Sequence, residues 1–306
     1  VSREGGLILN NILLITAAAT VFLGTFYPLL VETFSAEKIS VGEPYFDATF
    51  APIMSVLILF MGLAPLLKWR KDNLRALKRP AMIAASTLII IAVLTYIFGK
   101  SVLGGLALGL AAYLGIGTGA SVLRRIKWGS APRSESRALL RAQPAAFWGF
   151  VTAHMGMAVF VFGVTCMSVW AKDDMARLKP GESLSVAGYS FTLDDVLQGR
   201  RENYQFLAGK IKVSNAAGAE LSMLHSERRF YPVREMVTTE AGFRLSPRHT
   251  VFASIAEGDP ENGWVIRAYY HPYVVWIWIG ALMMALAGFI SLTDRRMRFT
   301  APDTAP

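Results

Sequence analysis

Six stretches of the chain, 7–30, 50–68, 80–98, 102–123, 147–170 and 273–293, are almost wholly apolar. Each is long enough to cross a hydrocarbon core of about 30 Å as a helix. No other feature constrains the fold as hard. In lipid every backbone N–H and C=O has to be bonded within the protein, so such segments cross as helices. The 53% hydrophobic content agrees. One polar stretch, 171–272, is long enough to be a domain of its own. The expected division is a transmembrane region over 1–170 with spans near 7–30, 50–68, 80–98, 102–123 and 147–170. An outer β domain over 171–272, a final span over 273–293 and a tail over 294–306 follow.

The formal charge of +9 looks like a nucleic-acid signal until it is mapped. Segment 68–79 is crowded with Lys and Arg, as is 124–141 with Arg124, Arg125, Lys127, Arg133, Arg137 and Arg141. The tail adds Arg295, Arg296 and Arg298. Loop 31–49 instead sets Glu32, Glu37, Glu43 and Asp47 against Lys38 alone, and 171–272 is balanced. Excess positive charge in alternate short loops is the positive-inside pattern. It points to membrane topology and excludes nucleic acid as the partner of this charge. The N-terminus, 68–79, 124–146 and the tail are expected in the cytoplasm, with 31–49 and 171–272 on the other side.

Within 171–272, YSFTLDDV, YQFLAGKIKVSN, AELSMLHSERRFY, REMVTTEAGFRL, TVFASIAE and WVIRAYYHP are short, partly alternating runs separated by Gly, Asn, Pro and Asp. NAAG at 215–218 is a hairpin signal. Six to eight strands in a small antiparallel barrel or sandwich are expected. The predicted class is an α-helical polytopic membrane protein of about six spans with one extracytoplasmic antiparallel β domain.

His154 is the residue most suggestive of chemistry. It lies inside PAAFWGFVTAHMGMAVFVFGVTCMSVW, residues 144–170, with no Lys, Arg, Asp or Glu beside it. Ionisable residues within a span are costly and mark ligand, cofactor or proton paths, and histidine is a common axial ligand of haem iron. The bland alternative is an imidazole bonded to a Ser, a Thr or a backbone carbonyl. Gly149, Ala153, Gly156 and Gly163 line one side of the same segment, where either a neighbouring helix or a flat macrocycle fits. His225 and His249 fall on predicted strands without metal-ligand spacing. His271 precedes the last span, where Tyr269, Tyr270, Tyr273, Trp276 and Trp278 read as an interfacial aromatic belt. Cys166 is the single cysteine, so neither an internal disulfide nor a CxxC or CxxCH site exists in the chain. It reads as a small packing residue.

Gly105 and Gly109, then Gly115 and Gly119, are spaced for close helix packing, and Gly99, Lys100 and Ser101 suggest a tight hairpin. Asn10 and Asn11 near the start, and Pro28 near the end of the first span, read as helix-end features.

Read in order, LILNNILL continuing into TVFLGTFYPLL, then VGEPYFDATFAP, FWGFVTAHMGMAVFVFGV and WIWIGALMMALAGFISLTDRRMR resemble the C-terminal half of the CcmF/NrfE family. These are the membrane haem lyase subunits of cytochrome c maturation. The resemblance implies attachment of haem to the CxxCH thiols of apocytochrome c outside the bacterial inner membrane, with the β domain in the periplasm. It implies haem supplied by a CcmE-type chaperone, CcmH/CcmI-type partner subunits and contact with membrane lipid. It also implies a b-type haem held between two intramembrane histidines, of which the one in the block WGxxxAHxG matches His154. The family's tryptophan-rich segment and the other histidine ligands belong to its N-terminal half, and no such segment is found here. The chain then reads as a fragment or as a naturally split subunit that works with that half. Asp47 stands where the family shows Asn, and no role is assigned to it. No catalytic residue is identified.

Two rival readings remain at this stage. One is a haem or small-molecule transporter or permease subunit, which many spans and a basic inner face allow. The other is a non-catalytic scaffold of the maturation complex, in which His154 would be dispensable.

Overall fold

The computed structural model describes residues 3–35, 39–63 and 74–294. The expected features at 36–38, 64–73 and 295–306, including Lys38, the end of the second span, most of the basic segment 68–79 and the basic tail, lie outside them. The described chain has seven helices and nine strands: α1 Arg3–Ser35, α2 Glu43–Leu63, α3 Leu74–Gly99, α4 Val102–Arg125, α5 Arg133–Arg141, α6 Ala145–Trp170, β1 to β9 between Lys172 and Pro272, and α7 Val275–Leu292. It forms two compact units, one of helices and one built on the strands.

Five helices, α1, α2, α4, α6 and α7, are long and apolar enough to cross a membrane, and α3 contributes the apolar stretch Ala85–Gly99. The six expected spans are thus six helices, with different ends. α1 runs past Pro28 to Ser35, because a proline inside a span costs one N–H that lipid-embedded helices tolerate. α2 starts at Glu43, with Pro44 in its first turn, so the acidic connection is shorter than expected. The first ten residues of the α1 span contain Asn10 and Asn11 within the helix, bonded only weakly to each other at 3.5 Å. α5 lies inside the stretch 124–146, which its charges mark as a basic connection.

Small residues set the helix contacts. A Cβ placed on Gly105 would lie 2.7 Å from the Ala92 carbonyl oxygen, and one on Gly109 would lie 2.9 Å from that of Leu88. Those two glycines therefore let α3 and α4 meet backbone to backbone. Lys100 takes a left-handed φ of 56°, and the Ser101 hydroxyl caps α4 by accepting from Gly104 N at 3.0 Å. Gly119, by contrast, faces open space. α4 meets α2 where the Tyr113 hydroxyl donates to the Leu59 carbonyl at 2.8 Å.

The strands form a sandwich of two antiparallel sheets. One has the order β1-β9-β8-β7 and the other β2-β3-β4-β5-β6. Here β1 is Lys172–Leu178, β2 Ser183–Val186, β3 Tyr189–Arg200, β4 Gln205–Ser214, β5 Glu220–Tyr231, β6 Met236–Glu240, β7 Gly242–Leu245, β8 His249–Asp259 and β9 Gly263–Pro272. The alternation in β4 and β8 puts Ile211, Val213, Val251, Ala253 and Ile255 inward, where they join Phe191, Leu193, Leu224, Ile266 and Ala268 in one core. Asn215 builds the β4–β5 hairpin: its side-chain oxygen accepts from Ala217 N and Ala219 N, and Gly218 takes a positive φ of 79°. Ser226, fully buried, links the sheets by donating to the Glu240 carbonyl and accepting from Ile255 N.

One expectation changes here. The domain is a sandwich of nine strands rather than six to eight. Tyr269 and Tyr270 lie on β9, within the strand that WVIRAYYHP predicted: Tyr269 stacks on Phe252 at 4.2 Å, and Tyr270 packs against the core beside Tyr189.

Candidate functional site

His154 lies nine residues into α6, about 14 Å along the helix axis. Its helix is anchored at the start by an acid. The Asp294 carboxylate, buried just after α7, accepts from Ala146 N at 2.9 Å. A carboxylate at a helix N-terminus satisfies an orphan N–H and meets the positive end of the dipole. At the same end, Arg125 of α4 bonds the Gln143 side chain and lies over the Phe147 ring at 4.7 Å. Phe147 is followed by Phe150 and then by His154, whose ring centroid is 4.1 Å from that of Phe150.

The stripe of small residues resolves the choice between helix and macrocycle. A Cβ on Gly149 would come 2.9 Å from the Ala287 carbonyl oxygen, and one on Gly156 would come 2.9 Å from that of Gly280. One on Gly163 would lie 2.7 Å from Ile277 N. The stripe is therefore filled by α7. In sequence His154 borders that stripe. It lies one and two turns from Ala158 and Val161, which join Ile58 of α2 and Leu114 of α4 in the helical core.

The ring is half-buried, and its Nδ1 is 3.0 Å from the Phe150 carbonyl oxygen one turn back. A carbonyl only accepts, so Nδ1 carries the proton, and a neutral imidazole then keeps its lone pair on Nε2. This is the arrangement in which a histidine ligates a metal: one nitrogen fixes the tautomer and orientation through a backbone carbonyl while the other is left to coordinate. The bland expectation of a carbonyl partner is thus met by one ring nitrogen, not by both.

The remaining candidates are elsewhere. His225 is exposed on β5, while His249 on β8 and His271 on β9 are half-buried, so none of the three shares the helical core with His154. His249 is flanked by Tyr189 and Tyr270, and His271 meets Phe252 edge-on at 4.9 Å. Burial holds both rings below the ordinary histidine pKa of 6.5, assisted at His249 by Arg244 and Arg248 and opposed at His271 by Asp173. Cys166 is buried, as a packing residue should be. Among the described residues no three His, Cys, Asp or Glu converge as a metal cluster. Among the described residues His154 is the one histidine on a helix, and imidazole is a donor type that haem iron accepts. Asp294 and the Phe150 carbonyl were missed in the sequence. The second was legible from i, i−4 spacing, whereas the first depends on α7 ending beside the start of α6.

Comparison with known proteins now adds a direct finding. Residues 169–272 match the family model described as the CcmF C-terminal beta-sandwich. The whole chain is 35% identical to cytochrome c-type biogenesis protein CycK of Rhizobium meliloti, covering 45% of that protein. It is 32% identical to CcmF of Escherichia coli, with 97% of the chain and 44% of that protein covered. The chain belongs to the CcmF family, matching its C-terminal half. It spans about half the length of the curated relatives it matches. The solved structure of Cytochrome c Heme Lyase CcmF superposes with a TM-score of 0.75 over 96% of this chain and 46% of that one, at 21% identity, which establishes a shared fold. This CcmF-family chain is thus a multi-pass membrane protein of apolar helices joined to one β-sandwich, as the sequence led one to expect.

Proposed function

We propose that the chain is the C-terminal portion of a cytochrome c haem lyase and that His154 Nε2 is one axial ligand of an intramembrane b-type haem. The observation that carries this reading is the Nδ1 bond to Phe150, which spends one ring nitrogen on orientation and reserves the other for iron. Metal ligation would also offset the cost of leaving that nitrogen unbonded in a low-dielectric helix bundle. The second ligand comes from the N-terminal half of the same protein or from a split partner subunit, since this chain's other histidines lie on the sandwich.

A haem held by His154 would supply one-electron redox chemistry towards the substrate haem iron. The protein's part is positional. Phe150 holds the imidazole by hydrogen bond and ring contact, and Asp294 fixes the start of α6 that carries both. The sandwich lies in the periplasm of a bacterial inner-membrane protein and docks apocytochrome c and CcmH/CcmI-type subunits. A CcmE-type chaperone brings the haem that is joined to the CxxCH thiols. The likeness to CycK and CcmF proteins of cytochrome c-type biogenesis supports these assignments.

The test is the visible spectrum of the complex purified with the N-terminal half present. His154→Ala should lose the reduced b-type band, and added imidazole should restore part of it. An unchanged band in His154→Ala would remove the ligand claim. Full cytochrome c yield from the same variant would favour a scaffold role.

A further inference from the structure

At one end of the sandwich, Tyr189, Asn215, Arg244, Ser246, Arg248 and His249 line a cleft of about 430 Å³. No carboxylate is among its lining residues. Three other sandwich arginines are neutralised, Arg228 by Glu257, Arg229 by Glu227 and Glu240, and Arg267 by Asp173, while Arg177, Arg200, Arg201 and Arg234 lie outside the cleft without an ion pair among the described residues. Arg244 and Arg248 have no acidic partner among the described residues. His249, held below its ordinary pKa first by burial and then by these two guanidinium groups, adds a neutral wall rather than a third charge.

The place of the cleft in the fold says which anion can reach it. The Pro247 carbonyl accepts from Trp276 Nε1 at 2.8 Å, and the Arg248 carbonyl accepts from Tyr273 N at 2.9 Å. The loop 246–248 is therefore tied to the first turn of α7. The same end of the sandwich receives the chain from α6, because Trp170 ends that helix and Lys172 opens β1 opposite Tyr270. Both spans leave from the end that carries the cleft. On the edge strand β7, Phe243 and Leu245 flank Arg244, and both are 63% exposed. Paired cations next to bare apolar side chains at the root of two spans match a lipid headgroup and the start of its acyl chains.

We propose that Arg244 and Arg248 bind the phosphate of an anionic phospholipid, with Phe243 and Leu245 against the acyl region. Guanidinium forks suit phosphate because each offers parallel N–H donors to two oxygens. Ser246 adds a hydroxyl at the rim. The site fixes the root of the sandwich to the outer membrane surface and needs no haem.

The test is native mass spectrometry of the detergent-purified full chain titrated with dioleoyl phosphatidylglycerol or dioleoyl phosphatidylcholine. The unmodified chain should retain phosphatidylglycerol in preference to phosphatidylcholine. The double variant R244Q/R248Q should weaken that retention on the order of tenfold, as expected for two interfacial cations, while R200Q leaves it unchanged. R244K/R248K should fall between. Equal retention of the two lipids, or of phosphatidylglycerol by the Gln variant, would overturn the proposal. So would displacement of the lipid by millimolar inorganic phosphate, which would assign the cleft to a free anion. If the Gln variant loses hydrogen-exchange protection in its strands, a photoreactive phosphatidylglycerol on the unmodified chain decides: labelling within 243–249 supports the site, and labelling elsewhere removes it. His154→Ala should leave every lipid result unchanged, so the haem reading and this one fail separately.

Discussion

The sandwich and the helical unit hold themselves together by opposite means. The sandwich has one core of fourteen buried residues, most of them fully shielded from solvent. Among the described residues of the helical unit the buried cluster is Ile58, Leu114 and Ala158, and α1 is largely uncovered along its length. In water, apolar side chains are driven together, so the sandwich must hide them. In lipid there is no such drive, and helices meet through small residues and backbone approach instead. The difference teaches that exposure means different things in the two units. Leu282 at 69% exposed on α7 faces a compatible solvent, whereas Phe243 at 63% on β7 needs an explanation.

The comparison predicts unequal responses to the same kind of substitution. Phe191→Ala removes a fully buried ring from the sandwich core and should cost about 3–5 kcal/mol, read as lost hydrogen-exchange protection across β3 and β4. Leu282→Ala deletes an exposed side chain and should leave the protection of α7 unchanged; equal losses would break the contrast. Gly280→Val should cost about 1–3 kcal/mol by overpacking. Its Cβ would lie 2.5 Å from Phe160 N and 2.6 Å from the Gly156 carbonyl oxygen, so α6 and α7 have to separate. The readout is faster exchange in both helices with the sandwich unaffected.

The smallest effect is on pH. His249 and His271 have folded pKa values held below 6.5, so between their folded and unfolded values the unfolded chain binds more protons. Their contribution is present above the unfolded pKa and declines as pH falls through 6.5 toward the folded values. The sandwich should therefore melt at a lower temperature at pH 5 than at pH 7.5. His249→Phe should reduce that difference, and an unchanged pH dependence in the variant would remove His249 as a source.

Much of the fold was legible because its signals are local. NAAG predicted the β4–β5 hairpin through Asn215 and Gly218, and Gly105 and Gly109 predicted the close α3–α4 approach. What was not legible depends on partners far along the chain. The place of β9 between β1 and β8 is set by such pairing. The macrocycle reading of Gly149 and Gly156 ended with the packing of α7. α5 lies in a stretch whose charges suggested only topology, and the α1 helix continued through Pro28 because one lost N–H does not end a span.

By itself the sequence determined the approximate place of the apolar helices, the strand-rich insertion and the single imidazole within those helices. Hydrophobic length and side-chain periodicity are properties of neighbouring residues and survive without a fold. Only the tertiary structure decided what fills the glycine stripe, which acid anchors α6 and which arginines lack partners, because each depends on groups brought together from distant positions. His154 belongs to both. Its carbonyl partner at Phe150 follows from helical spacing, while the placing of its face beside residues that pack on α2 and α4 required the assembled bundle.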